Sequence, residues 1–430
     1  MTAQMACSTT QHDPLVDAAD PVEAARAHIA DAALTESAGG RVGLELELHL
    51  VDLADPARRP DWDVVQAAAS ALPAMPSGSA VTLEPGGQIE LSTPPAADIV
   101  SAIAALRADR AVLRDGLAPL GFGAAPLGTD PARSVRRINP AARYVAMERH
   151  FGALGCAAAG RAMMTATAAL QVNLDAGPAT GWADRLRLIH SLGPVLIAAS
   201  AASPLLGGHA SGWHSMRQQV WDGIDRSRSE PLAGALAAAD PLAAADPAQA
   251  WASYALNTPV MLVRDGSSVT PVTERVPFRA WLRGAGPVER PPSIRDLDYH
   301  LTTLFPPVRP RGYVEIRCID ALPDRWWPAV AAFTAILIDD PIAADRAAEL
   351  VEPIAGAWSA AAQHGLADPA IRAAVTGCVT VALERCPTAL RPELEAYAAL
   401  IDAGRTPSDA LRARAEAIGP LGLLAEAAGE

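Results

Sequence analysis

Lysine is absent from this chain of 430 residues, so all 35 of its basic residues are arginine. A Walker A loop needs a lysine to bind phosphate, and Schiff-base and pyridoxal-phosphate enzymes need a lysine amine to form their covalent adducts. The sequence therefore excludes all of these sites. If the protein binds ATP, arginine side chains and metal ions must contact the phosphate groups.

Cysteine and long apolar runs are scarce as well. The five cysteines are never spaced CxxC, which predicts a reducing compartment and argues against a structural zinc site. The N-terminus lacks the basic region and the apolar core of a signal peptide. Residues 191–208, the most apolar stretch, contain two prolines and three glycines, which favours a buried helix followed by a turn. We expect a soluble, cytoplasmic protein with no membrane partner.

Charge and length limit the remaining possibilities. The formal net charge is −13, whereas proteins that bind nucleic acid normally carry a basic surface, so we expect no nucleic-acid partner. The chain is long enough for one large domain or two ordinary ones. Because we find no clear linker and no internal repeat, we predict a single catalytic domain over residues 1–430. Within it, residues 1–20 form a flexible tail and residues 326–426 a helical C-terminal part.

Residues 41–51, RVGLELELHLV, alternate strictly between apolar and other side chains, as a half-buried β-strand does. One face holds a valine and four leucines, and the other holds Glu45, Glu47 and His49 with no basic residue between them. Two acids at positions i and i+2 lie about 6–7 Å apart on one side of a strand, close enough to share a cation or to repel each other. For His49 we predict packing at the sheet edge rather than metal binding.

Three further predicted strands place polar side chains on one face in the same way. These are Glu84, Gln88 and Glu90 around a Pro-Gly-Gly turn or bulge in residues 81–92, Gln171 and Asn173 in residues 163–175, and Tyr313, Glu315 and Arg317 in residues 311–320. A solvated sheet face is the ordinary interpretation of any one strand, but for four strands together we favour a shared site. Oxygen ligands without cysteine or several histidines are typical of Mg²⁺ or Mn²⁺ sites. Such ions beside arginines, without a P-loop, predict phosphoryl transfer from ATP.

The hydrophobic pattern elsewhere predicts helices around these strands. We expect helices in residues 15–38, 96–120 and 181–202 and from Trp326 onward, and one more strand in residues 254–265. Residues 121–160 are predicted to be irregular, and residues 205–250 mostly loop and short helix. No βαβ repeat with a glycine-rich phosphate loop is present, so we predict an α+β domain with a mainly antiparallel sheet.

Seven segments in order resemble the glutamate–cysteine ligase family of plant and bacterial type. They are GLELEL, TLEPGGQIELSTPP, ALQVNLD, ASPLLGG, SMRQQVWDGID, PFRAWLRG and HLTTLFPPVRPRGYVEIR. The resemblance covers roughly residues 20–420 and is strongest to the actinobacterial branch, which supplies γ-glutamylcysteine for ergothioneine synthesis. It implies a sheet curled into a funnel with helices outside, as in glutamine synthetase. The implied reaction joins the γ-carboxylate of L-glutamate to the amine of L-cysteine through a γ-glutamyl phosphate, with ATP as co-substrate and Mg²⁺ as cofactor.

The resemblance also implies roles for individual residues. The metal ligands would be Glu45, Glu47, Glu84, Glu90 and Glu315, with Gln171 standing where some relatives have a histidine ligand. Arg317 would contact the transferred phosphoryl group, assisted by Arg309. The substrate-binding residues would be Arg217, Trp221, Asn173 and Tyr254: Arg217 and Trp221 for the glutamate α-carboxylate and stem, Asn173 for metal or substrate orientation, and Tyr254 for cysteine.

Other interpretations remain open from the sequence alone. A ligase of the same superfamily could join glutamate to a different amine, and a phosphotransferase of the same fold could stop at a phosphorylated product. A protein that binds metal or nucleotide without catalysis is a third alternative. The sequence does not distinguish a monomer from a homodimer.

Overall fold

The computed structural model describes residue 15 and residues 18–232 and 246–429. Its eleven strands within these ranges are β1 Val42–Asp52, β2 Ala80–Leu83, β3 Gln88–Ser92, β4 Phe122–Ala125, β5 Ala169–Leu174, β6 Leu205–Leu206, β7 His209–Ala210, β8 Leu262–Asp265, β9 Ser268–Pro271, β10 Val308–Pro310 and β11 Val314–Asp320.

Helices account for most of the remaining chain in these ranges. They are α1 Pro21–Ala33, α2 Trp62–Ser70, α3 Ile99–Leu117, α4 Ala142–Ala153, α5 Ala157–Ala166, α6 Trp182–Ser200, α7 Met216–Asp222, α8 Arg226–Ser229, α9 Pro247–Asn257, α10 Phe278–Leu282, α11 Ile294–Leu301, α12 Trp327–Asp339, α13 Pro341–Val351, α14 Trp358–His364, α15 Pro369–Arg385, α16 Arg391–Asp402 and α17 Pro407–Gly429. The last of these contains a break at Gly419, immediately before a proline.

The central sheet has seven strands, and every pair in it is antiparallel. The strand order is β10-β11-β5-β1-β3-β2, and β4 also pairs with β1. His49 pairs with Gln88 of β3 and also with Ala125 of β4, so β4 lies on the edge of β1 opposite β3. Because β5 pairs only with the first half of β1, β4 takes the same edge further along. The long strand β1 is therefore the centre of the sheet.

The apolar face of β1 lies in the hydrophobic core. Leu44, Leu46 and Leu48 are fully buried, as the alternation predicted. Helix α3 contacts β1, α6 contacts β11, and α12 contacts β5, and their buried side chains join these leucines in one apolar cluster. Strands that alternate in this way turn their other side chains away from the core. The polar residues of four strands are thereby collected on one face.

The structure confirms several predicted elements and corrects others. Helices α3 and α6, the helical C-terminal part and the antiparallel sheet are confirmed. The prediction that residues 121–160 are irregular is wrong, because β4, α4 and the start of α5 lie there. The strand predicted from residue 163 starts only at Ala169, because the alanines and methionines before it favour helix and form the last turn of α5. Likewise residues 254–257 end α9, and only β8 is a strand in residues 254–265.

No single helix in the described ranges is long and apolar enough to cross a membrane. Two pairs of consecutive helices have the length and composition of a membrane span only when each pair is taken together, and the helices of these pairs meet at bends of 96° and 83°.

Candidate active site

The sheet register brings the polar residues of neighbouring strands directly opposite one another. Glu47 on β1 faces Glu90 on β3, and Glu45 on β1 faces Gln171 on β5. On the other side of β5, Glu315 of β11 faces Asn173, and Arg309 of β10 faces Glu315. Directly opposed side chains in an antiparallel pair have Cβ atoms about 4.5–5.5 Å apart. The prediction that separate strands share one polar face is confirmed.

Glu84 reaches the same face from the turn between β2 and β3. The sequence left a turn or a bulge open, and the structure shows a hairpin in which the Glu84 amide donates to the Gln88 carbonyl at 2.9 Å and the Gly87 amide donates to the Glu84 carbonyl at 3.0 Å. Gly87 has φ of +84°, a left-handed conformation that favours glycine. The turn places the Glu84 carboxyl group within hydrogen-bonding reach of Glu90.

These side chains line a cavity of about 270 Å³, which we call the acidic cavity. Its charged lining consists of the five glutamates Glu45, Glu47, Glu84, Glu90 and Glu315 and the four arginines Arg143, Arg309, Arg311 and Arg317. Gln171 also lines it, as do apolar side chains that include Tyr144, Met147 and Phe305. His49 lies outside this lining: it is buried, and its Nε2 is 3.1 Å from the carbonyl oxygen of Leu127. His49 is packed in the protein as predicted, but the predicted position at the sheet edge is wrong, because His49 lies on the central strand β1 and pairs with both β3 and β4.

Three of the glutamates are destabilised in their charged form. Burial and the neighbouring charge of Glu90 raise the pKa of Glu47 to about 7. Burial, followed by the charges of Glu47 and Glu90, raises the pKa of Glu84 well above its usual range. The pKa of Glu45 is raised by burial and by the charges of Glu90 and Glu315. A cation bound among these carboxylates would offset their repulsion.

Glu315 has the opposite environment. Arg309 donates to both of its carboxylate oxygens, from Nε at 2.5 Å and from Nη2 at 3.0 Å, and Arg317 Nη1 lies 3.3 Å from Oε2. Although burial alone would raise the pKa of Glu315, the charges of Arg317 and Arg309 lower it to about 2. A third arginine, Arg311, was not selected by the sequence reasoning, and its Nη1 lies 3.4 Å from Glu315 Oε1.

Two side-chain amides connect the arginines and the acids. Arg317 Nη1 donates to Gln171 Oε1 at 2.6 Å, and Gln171 Nε2 donates to Glu47 Oε1 at 3.3 Å. Asn173 Nδ2 donates to Glu45 Oε1 at 2.9 Å. In this arrangement Gln171 bridges Arg317 and Glu47, so its carbonyl oxygen could bind a metal ion only after leaving Arg317. Asn173 orients Glu45.

The acidic cavity matches a divalent cation in its donor chemistry. Carboxylate oxygens are the ligands that Mg²⁺ and Mn²⁺ prefer. Burial and neighbouring acids raise the pKa values of Glu45, Glu47 and Glu84, so a bound cation would stabilise their charged forms. Among the described residues, however, no three acidic, histidine or cysteine side chains surround a single point as metal ligands. Rotation of these side chains would accompany metal binding.

A second cavity of about 240 Å³ adjoins the first, and Trp221, Phe305 and Arg317 line both. We call it the arginine cavity because Arg217, Arg226 and Arg317 line it. The rings of Trp221 and Phe305 are in edge-to-face contact, with centroids 5.8 Å apart. Asp222 is the one acidic residue that lines the arginine cavity within the described part of the chain. Two neighbouring compartments therefore differ in charge and share a wall.

Arg217 is held by a β-bulge in β11. The register shifts between Ile316 and Ile319, and the carbonyl groups of the two intervening residues accept from helix α7: Arg217 Nη2 donates to the Arg317 carbonyl at 2.8 Å, and Gln218 Nε2 donates to the Cys318 carbonyl at 2.6 Å. Arg217 Nε and Nη1 are buried without a hydrogen-bond partner. Nη1 lies 4.0 Å from Asp320 Oδ1 in an ion pair, and both N–H groups retain hydrogen-bonding capacity for an anionic ligand.

Several residues of the two cavities were missed by the sequence reasoning. Arg143 and Tyr144 come from α4, a helix that was predicted to be irregular chain. Asp222 directly follows Trp221, which was predicted to bind substrate, but Asp222 itself was given no role. Tyr254, predicted to contact cysteine, lines neither of these cavities; its ring stacks on Trp251 with centroids 5.5 Å apart. The structure therefore does not bring Tyr254 to the site.

The chain is similar to known proteins over most of its length. A family model described as glutamate-cysteine ligase family 2 (GCS2) matches residues 41–427. The chain is 50% identical over 388 residues to glutamate–cysteine ligase EgtA of Mycolicibacterium smegmatis, with 90% of each chain covered. It is 49% identical over 389 residues to EgtA of Mycobacterium tuberculosis, covering 90% of this chain and 88% of that one.

A solved structure of glutamate–cysteine ligase from Francisella tularensis in complex with AMP is similar in fold. The TM-score is 0.54 at 12% sequence identity, with 92% of this chain and 88% of that chain covered.

Proposed function

Because the chain belongs to glutamate–cysteine ligase family 2, we propose that it joins the γ-carboxylate of L-glutamate to the amino group of L-cysteine. ATP is converted to ADP and phosphate, and a γ-glutamyl phosphate is the intermediate. The similarity to the two mycobacterial EgtA proteins over nine-tenths of the chain supports this reaction and its place as the first step of ergothioneine biosynthesis. The sheet and its surrounding helices would form the funnel that the family resemblance implies.

The observation that carries this proposal is the row of opposed polar side chains in the acidic cavity. A carboxylate is a poor electrophile, and transfer of the ATP γ-phosphoryl group to it creates an acyl phosphate with a good leaving group. Positive charge must surround the phosphoryl oxygens during that transfer. Arg317 lies between the two cavities and can supply such charge to oxygens on either side, with Arg309 and Arg311 beside it.

Divalent cations would be held by the acids on β1, β3 and the β2–β3 turn. Glu45, Glu47, Glu84 and Glu90 offer carboxylate oxygens without a matching set of arginines, which suits Mg²⁺ or Mn²⁺. When bound, the ions neutralise the phosphate charges of ATP and help to hold them in line with the acceptor. Glu315 joins this set only if Arg309 and Arg317 release it, because both arginines contact it directly.

Glutamate would occupy the arginine cavity. The Nε and Nη1 groups of Arg217 make no hydrogen bond and suit the α-carboxylate, because guanidinium groups bind carboxylates by paired hydrogen bonds. Asp222 lines the same cavity and can accept from the α-ammonium group, and Trp221 can contact the apolar stem. The γ-carboxylate would then extend past Arg317 toward the acidic cavity. The cysteine amine attacks the acyl phosphate there, and the positioning of the two substrates supplies much of the rate.

The test is mass spectrometry of the products formed from ATP, L-glutamate and a panel of amines that includes L-cysteine. We expect γ-glutamylcysteine, ADP and phosphate in equal amounts with Mg²⁺, and no product with EDTA. A product with a different amine but not with cysteine would reassign the acceptor. Absence of every amide product, with ATP and Mg²⁺ present, would contradict ligase activity.

A further inference from the structure

A buried ion cluster lies behind the acidic cavity, next to the turn that carries Glu84. At its centre Asp130 is fully buried, and one carboxylate oxygen accepts from Arg59 Nη2 and from Arg133 Nε, each at 2.8 Å. The other oxygen accepts from the backbone amides of Ala132 and Arg133, at 3.2 and 2.9 Å. Neither arginine lines the acidic or the arginine cavity. Both carboxylate oxygens of Asp130 are thus paired without a ligand.

The two arginines differ in what else they bind. Arg59 Nη1 donates to the carbonyl oxygen of Gly86 at 2.9 Å, in the turn between β2 and β3. Arg133 Nη1 donates instead to the carbonyl oxygen of Leu50 at 2.8 Å, in the second half of β1. Arg59 therefore connects the buried Asp130 to the turn that carries Glu84, and Arg133 connects the same aspartate to the central strand.

The turn is also restrained from other directions. The carbonyl of Pro85 accepts from the amides of Ile138 and Asn139, each at 3.0 Å, and the amide of Gly86 donates to Gln88 Oε1 at 3.0 Å. At Gly86 a Cβ atom would lie 2.3 Å from the carbonyl oxygen of Thr165, so the backbone is tightly packed there. Arg59 is the charged member of this set of restraints.

This restraint matters for function because it fixes the position of Glu84 in the acidic cavity. The carboxyl group of Glu84 lines the acidic cavity beside those of Glu47 and Glu90, and carboxylates packed together in this way repel one another when they are charged. A free turn would relieve the repulsion by moving Glu84 out of the cavity. Once a cation is present, the same placement supplies a third carboxylate to it. Groups that orient the ligands of a metal typically change metal affinity by about 10–100-fold when they are removed.

We propose that Arg59 is a positioning residue that holds the Glu84 turn in the acidic cavity for a divalent cation. This inference rests on the metal site of the proposed function. Arg133 is the matched control, since it shares the ion pair with Asp130 but has no contact with the turn.

The experiment measures Mn²⁺ binding directly, from the electron paramagnetic resonance signal of free Mn²⁺, in wild type, Arg59→Met, Arg59→Lys and Arg133→Met. Arg59→Met should weaken Mn²⁺ binding about tenfold or more, while Arg133→Met should stay within about twofold of wild type. Both methionine variants should lower the Tm to a similar extent, because each removes one ion pair with Asp130. Arg59→Lys keeps a charge for Asp130 but lacks the fork that reaches Gly86 as well, so it should bind Mn²⁺ more weakly than wild type even if Arg59→Met does not fold.

Two other results would contradict the proposal. Equal Mn²⁺ affinities for the Arg59 variants and Arg133→Met would overturn the positioning role and leave the metal site intact. A wild-type protein that binds no Mn²⁺ would overturn the metal site itself and, with it, the proposed role of Arg59.

Discussion

The two ends of the acidic cavity use the same residue type in opposite ways. At the β1–β3 end, Glu47 and Glu84 face other acids, and burial with repulsion raises the pKa of each. At the β10–β11 end, Glu315 is fully buried, but arginines surround it and its pKa falls to about 2. Residue type and strand face are common to both ends. What differs is the neighbour on the next strand.

This difference divides the cavity into an acidic end, which we propose binds cations, and an arginine end. The acids of β1, β3 and the turn lack positive charge, so they favour a divalent cation. The arginines around Glu315 are already fixed by it and present N–H groups toward oxygens of a phosphoryl group. A phosphate that lies between the two ends would contact metal ions on one side and arginine on the other, which is the distribution of charge that phosphoryl transfer needs.

Glu315→Gln should give the largest loss of stability. Glu315, Arg309 and Arg317 are all largely buried, so the variant leaves guanidinium charges without their partner. Breaking a buried ion pair costs about 3–5 kcal/mol. We expect a Tm well below that of wild type by calorimetry, together with loss of ligation. A Tm equal to that of wild type would mean that the two ends do not differ as described.

Glu47→Gln should lose activity without losing stability. Removal of a group that only orients a metal ligand lowers metal affinity or activity about 10–100-fold. Removal of a ligand itself should therefore lower kcat/KM more than about 100-fold. The pKa of Glu47 is raised in the folded state, so its protonated form is the stable one, and the metal-free wild type should lose stability as pH rises from about 5 to about 8.

The amide in Glu47→Gln has no charge, so the variant should show a smaller pH dependence of Tm and a higher Tm at pH 8 without metal. Thermal scans of both proteins at pH 5 and pH 8 in EDTA measure this. A variant that keeps more than about a tenth of the wild-type rate, a change of under about 1.4 kcal/mol, would make Glu47 peripheral.

The two arginines on the shared wall should separate catalysis from binding. Arg317→Lys should lower kcat about 100-fold with little change in KM. Loss of one hydrogen-bond donor to the charge that develops in the transition state typically lowers kcat by about this factor. Arg217→Lys should mainly raise the KM for glutamate, about tenfold or more, and leave the KM for ATP unchanged, because a lysine lacks the planar fork that binds a carboxylate. Kinetics with each substrate varied separately measures both. If Arg317→Lys raises the glutamate KM and Arg217→Lys does not, the two assignments are reversed.

The smallest effect is expected at Asp222. If its carboxylate accepts from the α-ammonium group, wild type should prefer glutamate to glutarate, which lacks that group. Asp222→Asn should reduce this preference about tenfold, because a hydrogen bond to a charged group contributes about 1.5–3 kcal/mol. Comparing kcat/KM for both acids in both proteins isolates the interaction. An unchanged preference would remove Asp222 from glutamate binding.

Alternation in the sequence was sufficient to predict most of the acidic cavity. Glu45 and Glu47 were found because their strand buries every second residue, and the same period located Gln171 and Glu315. The side chains from helices could not be found in this way: Arg143 comes from α4, whose weak amphipathic pattern gave no signal. The opposite pKa shifts of Glu47 and Glu315 were also beyond the sequence, because they depend on which residue the register places across from each.

Proton release on cation binding tests the central claim most directly. In the metal-free protein the pKa of Glu47 is about 7, so near pH 6.5 part of the protein carries a proton that a cation must displace. Calorimetric titration of wild type with Mg²⁺ in buffers of different ionisation enthalpy counts these protons. We predict release near pH 6.5, a smaller release at pH 8.5, and a reduced release near pH 6.5 in Glu47→Gln. Binding of Mg²⁺ near pH 6.5 without proton release would contradict the assignment of the β1–β3 end as the cation site.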